Sequence, residues 1–207
     1  MKKSLIPIAI LITILSFESS TAKDPSHMVT ASLGAVWPNS IIMSDGNKVV
    51  WNSSVEWGKI FDRRIILGAK ADFNWKVVSK SREGQSLIYA KNRSFMLPLS
   101  GWIAIDPIPQ YRFHPLIHAQ VGYNSLFYSE TNYDDKSGNE LEKNVFKYFY
   151  GVYSKFGFDG VFDLGKEASI FIGYEYQIAP LYHKNGNTVE SISVNGSGFR
   201  FGVNVLY

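Results

Sequence analysis

The chain has 207 residues, of which 45% are hydrophobic, 15% aromatic and 19% charged, a balance that excludes intrinsic disorder and suits a single domain. With no cysteine it has no disulfide scaffold, thiolate nucleophile, cysteine zinc site or lipid-modified N-terminal cysteine. The formal charge of +3 comes without a basic run or a dense Lys/Arg face, so no nucleic-acid partner is expected.

At the N-terminus Met1-Lys2-Lys3 precede a mostly apolar run from Leu5 to Phe17 and then the small residues Ser20-Thr21-Ala22, the layout of a secretory signal peptide. As a helix the run would span only about 20 Å, short of a hydrocarbon core of about 30 Å, so cleavage after Ala22 is expected rather than anchoring. The expected organisation is a signal peptide over 1–22 and one domain over 23–207.

Two less regular strand candidates come next, Val29 to Val36 and Val49 to Phe61. From Ile65 a strict alternation begins: Leu67, Ala69, Ala71, Phe73, Trp75 and Val77 oppose Gly68, Lys70, Asp72, Asn74 and Lys76. The Ser94 to Ile105 segment fits poorly, because Trp102 falls on the polar parity and Pro98 lacks an amide donor. Either a bulge shifts its register or Pro98 sits where a ladder bond is missing. Alternation returns over Ile117 to Phe127, Tyr148 to Lys155, Ile170 to Ile178 and Phe199 to Tyr207. No amphipathic helix is found. The pattern predicts an all-β fold, an eight-stranded antiparallel up-and-down barrel.

The connections alternate in character. Asp62 to Arg64, Asp106 to Pro115 and Asp159 to Glu167 form one set; the longer and more polar Trp37 to Lys48, Ser79 to Gln85, Ser129 to Asn144 and Ala179 to Glu190 form the other. Alternation alone does not say which face points inward. Volume does, because an eight-stranded barrel is just wide enough for side chains to fill, and the apolar parity carries most of the aromatic rings. The polar parity, interspersed with glycine, supplies Glu56, Lys70, Asp72, Lys147, Lys155, Glu175 and Arg200 as a paired lumen network, with Glu175 and Arg200 facing inward on the neighbouring seventh and eighth strands. The barrel is therefore a transmembrane one with its apolar face in lipid. Trp37, Trp51, Trp75, Phe127, Tyr148 and Tyr176 form the expected belt at the long-loop end, and Phe61, Phe158 and Tyr207 the belt at the short-turn end.

The signal peptide, the alternating strands, the loop asymmetry and the final Phe199-Arg200-Phe201-Gly202-Val203-Asn204-Val205-Leu206-Tyr207 resemble small bacterial outer-membrane barrels of the OmpX and OmpA-transmembrane-domain kind. That resemblance implies an outer-membrane address with periplasmic termini, extracellular long loops, outer-membrane lipids as surroundings and a monomeric state. It also implies that Phe199, Phe201, Val203, Val205 and Tyr207 are a C-terminal assembly signal read by the barrel-assembly machinery. It implies architecture rather than activity.

Chemistry is sparse. Some small outer-membrane barrels modify lipid A, and the deacylase among them carries a His-x-Ser pair on its wall, where imidazole activates the hydroxyl. Here His118 is followed two residues on by Gln120 and points into the lumen. His27 precedes the first strand, His114 lies in a turn, and only His183 lies in an outer loop, where it would face Asp134, Asp135 or Ser137. No enzymatic role is expected. Glu130, Asp134, Asp135, Glu140 and Glu142 lack the spacing of a calcium loop, and no helix follows Gly196-Ser197-Gly198 to make a phosphate cradle. No cofactor or metal is implied. The expected role is an anchor with surface loops for structural or interaction roles, the alternatives being a lipid A modifying enzyme or a small-solute channel.

Overall fold

The computed structural model describes residues 26–39, 49–82, 88–134, 145–186 and 188–207, so the signal-peptide segment, Asp135 and Ser137 lie outside the described residues. Strands alone make up the regular structure of that portion: β1 (His27–Pro38), β2 (Val50–Phe61), β3 (Ile65–Arg82), β4 (Ile88–Ile105), β5 (Phe113–Asp134), β6 (Val145–Asp163), β7 (Ala168–Ile178), β8 (Pro180–Asn185), β9 (Thr188–Ser193) and β10 (Gly196–Leu206). Every pairing is antiparallel, and β1 closes on β10, as in Val29↔Val205, so no sheet edge is left in the wall.

The wall has eight strands. The pairs Ser154↔Ile178 and Tyr150↔Tyr182 share one register, so β8 continues β7; Gly196↔Gln177 and Pro180↔Ser193 share another, so β9 leads into β10. Between the halves the ladder is bridged locally. The Ala179 N–H donates to Asn195 Oδ1 at 3.1 Å and the Val194 N–H to the Ala179 carbonyl at 2.9 Å. Ala179 to Glu190, expected as a loop, is therefore mostly hairpin. Likewise β3 to β6 run well past the predicted ends, because their outer ends keep the backbone ladder after the apolar alternation stops.

The register fixes the shape of the barrel. The row Phe61↔Ile65↔Ile105↔Ile117↔Phe158↔Tyr174↔Phe199↔Ala35↔Trp51 circles the wall and returns to β2 ten residues from its start. With about 3.3 Å per residue and about 4.8 Å between strands, eight strands and that stagger give a tilt of about 40°. One circuit climbs about 25 Å along the axis, the height of the apolar band of an outer-membrane barrel.

The fourth predicted strand resolves without a bulge. Ala71↔Leu99 and Asn74↔Met96 keep one register across β3 and β4, and the ladder is simply missing opposite Asp72 and Phe73, at Leu97 and Pro98. Trp102 does point inward, and is only 6% exposed. Gly58 and Gly68 make room for it in the same cross-strand row, and its Nε1 donates to the carbonyls of Trp57 (3.3 Å) and Ala69 (3.2 Å). A Cβ at Gly68 would stand 1.9 Å from the Trp57 carbonyl oxygen and 2.7 Å from Trp102 Nε1. Gly68→Ala should therefore cost about 1–3 kcal/mol by overpacking. Ala71→Arg, on the exposed apolar face of the same strand, should cost about 2–4 kcal/mol through hydrocarbon. Urea unfolding in lipid vesicles measures both, and a harmless Ala71→Arg would reverse the assigned faces.

Candidate functional site

The lumen is filled in three layers. Toward the short-turn end Met28, Ile66, Trp102, Leu116, Val161 and Phe171 form one apolar cluster, and toward the long-loop end Val50, Met96, Leu126, Phe149, Leu181 and Val194 form another. Between them lie the ions. Arg200 grips Asp159 with two donors, Nε to Oδ1 at 3.0 Å and Nη2 to Oδ2 at 2.6 Å, while its Nη1 donates to Glu56. Lys70 sits 3.0 Å from Glu56 and 3.6 Å from Asp72, and Lys155 sits 2.6 Å from Glu175 and 3.6 Å from Asp72. The Tyr153 hydroxyl donates to Asp72 Oδ2 at 3.3 Å, and His118 Nε2 lies 3.6 Å from Asp159.

Six of the seven predicted lumen residues thus meet, but not all as expected. Glu175 and Arg200 approach only to 3.9 Å. Arg200 pairs across the ladder with Gly173, whose missing side chain leaves space for Asp159: a Cβ there would lie 1.8 Å from its Oδ1. The seventh, Lys147, shares the inward parity of β6 but stands at the rim, half exposed, 2.8 Å from Glu190 on β9, because the lumen ends below it. Asp159, expected in a turn, is in β6: Phe156 and Phe158 face outward and alternate with Gly157 and Asp159, a period of two that places it.

The wall exposes its apolar parity, with Leu67, Leu99, Ile117, Val121, Phe156 and Ile172 all more than 40% exposed. So wide an apolar exterior is not a soluble protein's surface. At the long-loop end Trp51, Trp75, Phe95, Phe127 and Tyr148 lie side by side on five adjacent strands. Trp37 meets Phe199 edge-on at 6.0 Å, and Tyr176 lies against Phe156 at 5.6 Å. Because rows climb with the tilt, Phe127 and Tyr148 stand about 10 Å above Trp51. The same climb corrects Phe158, which is four strands round from Phe61 and so about halfway up the wall. Phe61 and Tyr207 do lie at the short-turn rim, where the sequence reading missed their companions Phe113 and Phe162, paired across β5 and β6.

Tyr207 also belongs to the closing seam. Its carbonyl accepts the N–H groups of Ser26 and His27, its hydroxyl accepts from Trp57 Nε1 at 3.2 Å, and the His27 ring stacks between Trp57 and Tyr207 at 5.7 and 5.6 Å. His27 therefore begins β1 rather than preceding it. His114 is in β5, not a turn, with Nδ1 2.6 Å from Asp106. His183 Nδ1 lies 2.8 Å from the Tyr148 carbonyl, and its ring packs on Phe149. Asp134 ends β5, and its side chain lies outside what the structure describes.

A closed eight-stranded antiparallel barrel with an ion-paired lumen and an apolar wall is the fold of small transmembrane β-barrels of the outer-membrane, OmpX-like kind. No family model matches the sequence, and no curated protein matches it. Among solved structures the chain is similar to Ail, the attachment invasion locus protein of Yersinia pestis, in complex with the heparin analogue sucrose octasulfate. The TM-score is 0.51 at 11% identity, over 89% of this chain and 100% of that one. It is similar to the outer membrane protein OprG from Pseudomonas aeruginosa, again at TM-score 0.51 and 11% identity, over 89% of this chain and 97% of that one. Neisserial surface protein A matches at TM-score 0.48 and 14% identity, over 87% of this chain and 97% of that one.

A double-mutant cycle on Asp159→Asn and Arg200→Gln should show a coupling on the order of 0.5–3 kcal/mol, and the cycle on Glu175→Gln and Arg200→Gln a smaller one. Equal couplings in vesicle unfolding experiments would contradict the pairing described.

Proposed function

We propose that this chain is an integral outer-membrane protein whose barrel is a closed anchor and whose long-loop end, at the cell surface, carries a structural or interaction role. The observation that carries this reading is the stacking of an ion-paired layer between two apolar layers inside an apolar wall. Such a lumen leaves little space for solute, and drawing ions apart there would cost several kcal/mol each. In this reading the termini and short turns face the periplasm, the protein is a monomer without enzymatic activity, and the barrel-assembly machinery inserts it.

Trypsin added to intact cells should cut the long connection after Lys136 or Lys143, both in the sequence between β5 and β6, and leave the membrane-embedded barrel protected. Cleavage only after the envelope is permeabilised would reverse the orientation. Steady conductance in planar bilayers would favour the channel alternative, and an altered lipid A mass in cells lacking the gene would favour the enzyme.

The terminal tyrosine serves assembly and closure together. Deleting Tyr207 should lower the heat-modifiable folded protein in outer-membrane fractions severalfold. In barrels already inserted, the lost ring contacts should cost only about 0.5–1.5 kcal/mol. Unchanged assembly in cells would remove the targeting role.

A further inference from the structure

At the short-turn rim one cation is held by the fold and left facing the bilayer. Arg112 immediately precedes Phe113 at the end of the turn between β4 and β5. Its carbonyl accepts the N–H of Asp163 at 2.9 Å, and its Nε donates to the Asp163 carbonyl at 3.0 Å. The guanidinium carbon lies 4.7 Å above the ring centroid of Phe162, on the outer face of β6. These contacts fix the position of the guanidinium. The Asp163 carboxylate lies toward His114, 3.5 Å from its Nε2, and does not pair with Arg112. Among the described residues, both terminal amino groups of Arg112 are therefore left without an acceptor.

The surroundings decide what would fill that place. Tyr111, Phe113 and Leu164 are 58%, 64% and 54% exposed beside it, an apolar surface suited to acyl chains rather than to a soluble anion. The neighbouring turns expose Arg63, Arg64 and Lys166 against Asp62 and Glu167, and with Asp163 these charges balance, so any preference for an anion falls to Arg112 itself. A guanidinium whose Nε is occupied still offers two amino donors in one plane, the geometry that suits two oxygens of a phosphate. Its height matches, because Phe113, Phe162 and Phe61 lie within about 3 Å of one level by the tilt and stagger of the wall.

We infer that Arg112, on its Phe162 platform, binds the phosphate of an anionic glycerophospholipid in the leaflet at the short-turn end. The inference rests on the membrane reading above and goes beyond it, since it makes one rim position selective for headgroup charge. Acyl chains of the same lipid lie along Phe113 and Leu164, which separates a lipid from free phosphate as the source.

The test uses the purified full barrel in a zwitterionic detergent, with phosphatidylglycerol or phosphatidylcholine added at equal concentration and bound lipid read by native mass spectrometry. The wild type should retain phosphatidylglycerol about tenfold over phosphatidylcholine. Arg112→Gln should remove that preference, Arg64→Gln should keep it, and millimolar inorganic phosphate should not displace the lipid. Phe162→Leu leaves the cation but removes its platform and should lower the preference severalfold, so the inference remains testable if Arg112→Gln fails to fold. Heat-modifiable migration verifies folding of each variant. Equal retention of the two lipids by the folded wild type, an undiminished preference in both variants, or displacement by inorganic phosphate would overturn the inference. Failure of the wild type to insert into any bilayer would instead overturn the membrane reading itself.

Discussion

Every strand in this wall must find a partner on both sides, because a backbone N–H or C=O left open in hydrocarbon costs several kcal/mol. β1 meets that demand by pairing with β10 along its full length, and the stagger needed for closure sets the tilt at about 40°. The lumen width follows, and with it the choice of inward side chains. Trp102 fits only because Gly58 and Gly68 stand beside it, and Arg200 reaches Asp159 only across the bare Cα of Gly173. The glycines of the polar parity are thus the counterpart of its long side chains.

Placing charges halfway across a membrane is costly, and the apolar layers at either end make the cost larger by excluding water. The same exclusion strengthens each attraction between opposite charges. Four carboxylates, Glu56, Asp72, Asp159 and Glu175, therefore share Lys70, Lys155 and Arg200, with His118 beside Asp159, and most carboxylates touch more than one cation. A shared network has no single weak bond at which the lumen opens. Burial of this kind is better at fixing one arrangement of strands than at adding stability, since an apolar filling of equal volume would avoid the desolvation altogether.

Alternation made the wall legible in the sequence. Ile65 to Val77 announced its two faces because one residue in two was apolar, and the lumen members Lys70, Asp72, Lys155, Glu175 and Arg200 followed from parity alone. What parity does not carry is height. Lys147 has the lumen's parity and stands above it; Phe158 has the belt's chemistry and stands in mid-wall. Both errors come from reading depth along one strand, when depth in a tilted barrel also depends on how many strands lie between. The outer ends of β3 to β6 and the β8–β9 hairpin were illegible for another reason. Too few apolar residues fall at every second position of their sequence, so their pairing is carried by the backbone ladder, which leaves no sustained period in the side chains.

Strand length divides the molecule by task. A tilted strand needs about 9–11 residues to cross a bilayer. β1 and β2 have 12 residues each, whereas β3, β4, β5 and β6 have 18, 18, 22 and 19, and β7 and β10, 11 residues each, are prolonged by β8 and β9 of 6 residues each. The surplus lies almost wholly on the long-loop side, where it lifts six of the eight wall strands about 20 Å beyond the level of Trp51, by the rise and tilt of the strands. Nothing in the anchoring of the barrel requires it, since closure and belts are complete below. On the opposite side the connections have only three to seven residues, so that rim stays close to the level of the wall. The two rims therefore differ in construction: an extended backbone ladder at one end, and single fixed groups such as Arg112 at the other.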